Sequence, residues 1–114
     1  MHEVGIISQA VDIAIESARQ AGASRVAAMR IRVGALSGVA PDALRFGFDI
    51  ATEGTCAEGA VLDIELVPAR CRCAYGCGEF SPGGSIYACP SCGELSSDLL
   101  QGRELDLASI EVCD

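Results

Sequence analysis

Five of the seven cysteines fall in one run, Cys71 to Cys92, which reads CRCAYGCGEFSPGGSIYACPSC. That run limits what the chain can fold into more than any other stretch. Cys89-Pro90-Ser91-Cys92-Gly93 is a C-x-x-C turn. Two residues between thiols let one tight turn aim both sulfurs at a point, and a following glycine can take positive φ, so that backbone N–H groups approach the thiolates. Cys73-Ala74-Tyr75-Gly76-Cys77-Gly78 is a C-x-x-x-C turn with a glycine in the same place. Eleven residues separate the two turns, Pro82-Gly83-Gly84 among them, enough for a short hairpin. Two facing thiol pairs make a tetrahedral four-sulfur site, which suits Zn(II) and, less often, iron. Cys71, two residues ahead of Cys73, competes for a place in the first pair.

Disulfides are the plain alternative. Met1-His2-Glu3 lacks the basic start of a secretory segment, and no long apolar run follows. A cytoplasmic chain with paired thiol turns is expected to hold metal. With three Phe and two Tyr in 114 residues, the cysteine stretch has few large side chains of its own, so its fold should depend on the ion.

Charge narrows the partners. All eight basic residues are arginine against sixteen acids, a formal net charge of −8; a zinc tetrathiolate takes this to about −10. Arg70 and Arg72, beside the first thiol pair, would offset that charge. An acidic module repels phosphate backbones, and so few aromatics offer little for bases to stack on, so no nucleic-acid partner is expected. No stretch is long or apolar enough for a membrane span. A single histidine and no nucleophile motif leave no catalytic triad to propose, so hydrolysis is not expected.

The rest of the chain reads as a small α+β domain. Residues 4–21 have helical periodicity, with Val4, Ile7, Val11, Ala14 and Ala18 on one stripe, Gly5 as N-cap and Gly22 as the stop. From Arg25 to Val33 the period changes to two: Met29, Ile31 and Val33 face one way, Arg30 and Arg32 the other. Pro41 and Asp42 suit the first turn of a second helix that buries Leu44, Phe48 and Ala51 and stops at Gly54. Val61–Val67 is a second strand, with Leu62, Ile64 and Leu66 on its apolar face, and Arg103–Val112 a third, with a phase slip near Ala108-Ser109. Arginines on the first strand face carboxylates on the other two, which places it between or beside them. The expected fold is α+β, a three-stranded sheet with two helices plus an inserted zinc-ribbon-like lobe, divided as 1–67 with 103–114 and 68–102.

The one histidine is His2, followed by Glu3. The amine of Met1, the deprotonated amide of His2 and the His2 imidazole can chelate one ion through a five- and a six-membered ring. Three nitrogens in a plane suit Ni(II) or Cu(II) rather than zinc. The Glu3 amide or carboxylate can complete or support the set. A histidine this close to a terminus is ordinarily just a solvated side chain.

Several segments together carry a resemblance: Met1-His2-Glu3, Gly34-Ala35-Leu36-Ser37-Gly38-Val39, Ala43-Leu44-Arg45-Phe46 with Phe48-Asp49, Ala57-Glu58-Gly59-Ala60 and the two cysteine pairs. Over essentially its whole length the chain resembles the HypA/HybF family of nickel-incorporation proteins for [NiFe]-hydrogenase maturation. The resemblance implies a nickel-binding domain (1–67 and 103–114) with His2 as principal ligand and Glu3 in support, and a zinc-binding lobe (68–102) held by Cys73, Cys77, Cys89 and Cys92. It implies a metallochaperone, not an enzyme, with Ni(II) as transferred cargo and Zn(II) as a structural ion. The partners it implies are a HypB-type GTPase and the hydrogenase large subunit, with self-association into a homodimer allowed. Two departures stand out: the family has C-x-x-C where Gly76 is inserted here, leaving Cys71 in competition, and it commonly has serine where this chain has Gly5. The alternative from another class is an electron-transfer or thiol-redox protein built on a four-cysteine iron site, with Cys56, Cys71 or Cys113 as a reactive thiol.

Overall fold

The computed structural model describes residues 2–83 and 86–114, with His2 described by its backbone alone. Gly84, at the tip of the expected hairpin, lies outside the described residues. The elements in chain order are α1 (His2–Gln20), β1 (Arg25–Gly34), α2 (Pro41–Thr52), β2 (Val61–Val67), β3 (Arg70–Arg72), β4 (Glu79–Phe80), β5 (Asp98–Gln101) and β6 (Leu105–Cys113). They form two three-stranded sheets, ordered β2-β1-β6 and β4-β3-β5. The chain divides into two compact units: Met1–Arg32 with Gly38–Glu65 and Asp106–Asp114, and Val33–Ser37 with Leu66–Leu105.

The first unit is built on aliphatic burial. Ile7, Val11, Ala14 and Ala18 of α1, Val26, Met29 and Ile31 of β1, and Leu44 and Phe48 of α2 are almost fully buried. Each large one contributes about 1.5–3 kcal/mol. α1 closes as the sequence anticipates: Gly22 takes φ 74°, Ala23 N–H donates to Ala18 O at 2.9 Å and Gly22 N–H to Arg19 O at 3.1 Å, the paired bonds of a left-handed C-terminal cap. Its start differs. The helix begins at His2, so Gly5 is inside the first turn and is not its N-cap. α2 runs from Pro41, with Asp42 in its first turn, and buries Thr52 where Ala51 was expected; Ala51 is only half-buried. The Thr52 hydroxyl is accommodated because it donates to Phe48 O at 2.8 Å.

β1 is the middle strand, and its arginines reach the carboxylates of β2: Arg30 Nε to Asp63 at 2.8 Å and Arg32 Nε to Glu65 at 3.8 Å. Both pairs are half exposed, so they fix neighbours more than they stabilise. One expectation on β2 fails. Leu62 is buried and Ile64 half-buried, but Leu66 is 65% exposed while Val67 is buried. The apolar phase flips at the point where the chain leaves the first unit after Glu65, because these last two residues pack in a different environment from the rest of the strand.

The second unit has a sheet of its own that the sequence did not announce. β3 pairs antiparallel with β4 (Cys71 opposite Phe80) and with β5 (Cys71 opposite Leu99). The segment Val33–Ser37 belongs to this unit because its backbone is tied there: Gly34 N–H to Glu104 O at 2.7 Å, Ala35 N–H to Val67 O at 2.9 Å, and Leu36 N–H to Gly102 O at 2.7 Å. A Cβ on Gly34 would lie 2.1 Å from Gly102 O, so only glycine permits this approach.

Candidate metal centre

Two turns of the second unit close in the same way. Cys73 N–H donates to Gly78 O and Cys89 N–H to Glu94 O, both at 2.9 Å, so each turn is latched from its first cysteine to the fifth residue beyond it. In the second turn Gly93, just after Cys92, takes φ 77° and donates to Cys89 O at 2.8 Å. The first turn has one residue more between its thiols. Gly76 takes φ 89° and Gly78 φ 99°, so a left-handed step absorbs the insertion and brings Cys77 back to face Cys73.

The sulfurs of Cys73, Cys77, Cys89 and Cys92 all lie within 4.8 Å of one another, with Cys73 and Cys92 at 3.7 Å. Zinc with Zn–S bonds of about 2.3 Å holds tetrahedral sulfurs about 3.8 Å apart. Donor type, number and spacing therefore fit Zn(II). The first cysteine of each pair is buried and the second exposed. Backbone N–H groups of Cys77 and Tyr75 hold the Cys73 thiol down to about 7; Tyr75 N lies 3.4 Å from its sulfur. Cys77, facing the sulfurs of Cys73, Cys89 and Cys92, is pushed up to about 12. A ready thiolate beside a thiol that is hard to ionise alone is a donor set that gains from a cation's charge.

Cys71 is not in this group. It sits in β3 with no exposure and shares a core with Cys73, Phe80 and Cys89, flanked by Tyr87 and Leu99. Burial, then the Asp98 carboxylate, raises its thiol pKa, so it packs as a small apolar side chain. Arg70 and Arg72, expected to offset the thiolate charge, pair with carboxylates: Arg70 reaches Glu79 at 3.7 Å, and Arg72 reaches Asp98 at 3.7 Å and Glu79 at 4.0 Å. Ser96 joins the segment after the second turn to β3, its hydroxyl donating to Arg72 O at 2.5 Å and accepting from Asp98 N–H at 3.1 Å. Sequence reasoning passed over Ser96 because a serine in a loop carries no periodic signal. None of the seven cysteines is in a disulfide.

The expected nitrogen donors, at Met1 and His2, belong to the start of the first unit. The Met1 amine and the His2 imidazole fall outside what the structure describes, and the backbone carries the information. Because α1 starts at His2, the N–H groups of its opening residues have no acceptor within the helix. Glu3 Oε2 accepts from Ala40 N–H at 3.1 Å. Ala40 is the N-cap of α2 and offers no side-chain cap of its own, so the Glu3 carboxylate ties the start of one helix to the start of the other.

Comparison with known proteins adds to this geometry. A family model described as "Hydrogenase/urease nickel incorporation, metallochaperone, hypA" matches residues 1–112. The hydrogenase maturation factor HypA of Picosynechococcus sp. is 44% identical over 98% of this chain and 99% of its own length. That of Roseiflexus sp. is 43% identical over 100% of this chain and 94% of its own. Two solution structures share the fold: one of the Ni metallochaperone HypA from Helicobacter pylori, with TM-score 0.66 and 22% identity over 97% of each chain, and one of a HypA protein, with TM-score 0.72 and 24% identity over 98% of this chain and 96% of the other.

Proposed function

Because the chain belongs to the HypA family of nickel-incorporation metallochaperones, we propose that it carries Ni(II) at its first residues and releases it to a hydrogenase precursor, while Zn(II) stays in the four-thiol site as a structural ion. The chain is a nickel metallochaperone of hydrogenase maturation. Its finer assignments rest on chemistry. The Met1 amine, the His2 amide and the His2 imidazole form the nitrogen set, with His2 the principal ligand and Glu3 in support. Cys73, Cys77, Cys89 and Cys92 hold zinc.

The observation that carries this reading is the start of α1 at His2. Deprotonating a backbone amide for nickel is costly where that amide already serves a helix ladder, and the opening amides of a helix serve none. The helix end also favours release. Its positive pole opposes a cation by about 0.3–1 kcal/mol, which suits a cargo ion that has to leave. Sulfur, by contrast, surrounds its ion with four donors and keeps it. The function is holding and passing an ion, not catalysis.

The receiving side is a HypB-type GTPase and the hydrogenase large subunit, met in the cytoplasm, with residues 1–67 and 103–114 as the nickel-binding domain and 68–102 as the zinc-binding lobe. No helix among the described residues is long and apolar enough to cross a membrane. Metal titration of the purified protein beside His2→Ala tests the assignment. Zinc content should match, at about one per chain, and nickel uptake should be lost in the variant. Equal nickel uptake by both would end it.

A further inference from the structure

The opening turn of an α-helix has backbone donors with no acceptor inside the helix, and such turns ordinarily fray. Here α2 holds it. Gly47 is buried against the start of α1: a Cβ at this position would lie 2.8 Å from Ile7 Cγ2 and 3.4 Å from Val4 Cα. The backbone at Gly47 does not need glycine, since its φ is not positive. Glycine in mid-helix is unfavourable, so α2 forgoes helix propensity there and gains close approach. The Glu3 carboxylate on Ala40 N–H is the second hold on the same turn.

We propose that Gly47 is a positioning residue for the cargo ion: by letting α2 close on Val4 and Ile7 it keeps the first turn of α1 wound, and with it the amides of His2 and Glu3. This rests on the nickel reading above. An ion bound through backbone nitrogens needs those residues in one arrangement. If folding has already ordered them, binding does not bear that entropy. Ordering one residue is worth about 5–30-fold in affinity, whereas the opposing helix pole is worth about 2–5-fold. Unwinding the turn therefore weakens nickel binding even though it relieves the repulsion.

The test uses the full-length, zinc-loaded chain and Ni(II) alone as probe, followed by visible absorption. Gly47→Ala should bind Ni(II) about tenfold more weakly. Thr52→Ala, at the far end of α2, loses the bond to Phe48 O and lowers the melting temperature, yet should keep the parent's affinity. Ile7→Leu removes the Cγ2 methyl that the new Cβ strikes, so Gly47→Ala with Ile7→Leu should recover most of the loss. Parent-like affinity in Gly47→Ala, or an equal loss in Thr52→Ala, overturns the proposal. If Gly47→Ala does not fold, the double variant is read instead. Near-parent affinity there supports the proposal, and a folded double variant tenfold weaker overturns it. Failure of the underlying reading shows separately, as equal uptake by the parent and His2→Ala.

Discussion

The two units of this chain become rigid by different means. The first buries a set of aliphatic side chains, Ile7, Val11, Met29, Ile31 and Leu44 among them, and closes α1 with a left-handed glycine cap. The second buries three cysteines and one phenylalanine as its main core, and relies on backbone contacts such as Gly34 against Gly102. Burial alone suffices where side chains are large and periodic. Where they are small, an ion at the four sulfurs would supply what burial does not. On the proposed function the same difference separates the two metals: nitrogen at the end of a well-packed helix would let an ion go without unfolding anything, and sulfur at the centre of a poorly packed lobe would not.

The largest test of this contrast is zinc removal. A structural zinc contributes about 10–16 kcal/mol to folding small modules, so chelation should abolish the β4-β3-β5 ladder, seen as lost amide protection in Cys71 and Leu99. The helical circular-dichroism signal of α1 and α2 should persist. Loss of that signal together with the ladder would break the comparison.

A middle-sized effect should appear in the protons released as zinc binds. Without zinc the lobe is not expected to keep its fold, so its thiols return towards the ordinary cysteine value of about 8.5, and zinc must displace a proton from each one still protonated. At pH 6 nearly all are protonated, and at pH 8 some are already thiolates. Proton release, read by calorimetry in buffers of different ionisation enthalpy, should therefore be greater at pH 6 than at pH 8, and about four per zinc at the lower pH. Release of only about two protons at pH 6 would mean that one cysteine pair alone binds the ion.

The smallest effect belongs to the aliphatic unit. Gly5 is inside α1 with open space where a Cβ would go. Gly5→Ala should stabilise the unit by about 0.5–1 kcal/mol, read as a raised thermal midpoint. A fall in the midpoint would show that the first turn is held in a way the present contacts do not include.

How much of this was legible in the sequence follows the same divide. The β1 alternation of Met29, Ile31 and Val33, the arginines paired to β2, the Gly22 stop and the C-x-x-C turn were all readable, because each is a local pattern. The start of α1 was not: docking against Gly47 is a tertiary contact, and it overrides the weak cap signal at Gly5. The phase flip at Leu66 and Val67 was hidden because a strand that changes surroundings partway has two periods. β3 and β4, three and two residues long, are too short for any period to show. Spacing left Cys71 competing with Cys73 and Cys77, and only its place in the β3 core takes it out of the four-sulfur group.

The account depends most on nickel being held by the amino-terminal nitrogens and not by the thiols. Its most direct test is Ni(II) titration of the zinc-loaded protein with its terminal amine acetylated, beside the unmodified protein. The account predicts that acetylation removes the visible Ni–amide absorption and most of the retained nickel while leaving zinc in place. Nickel retained equally by both forms would contradict it.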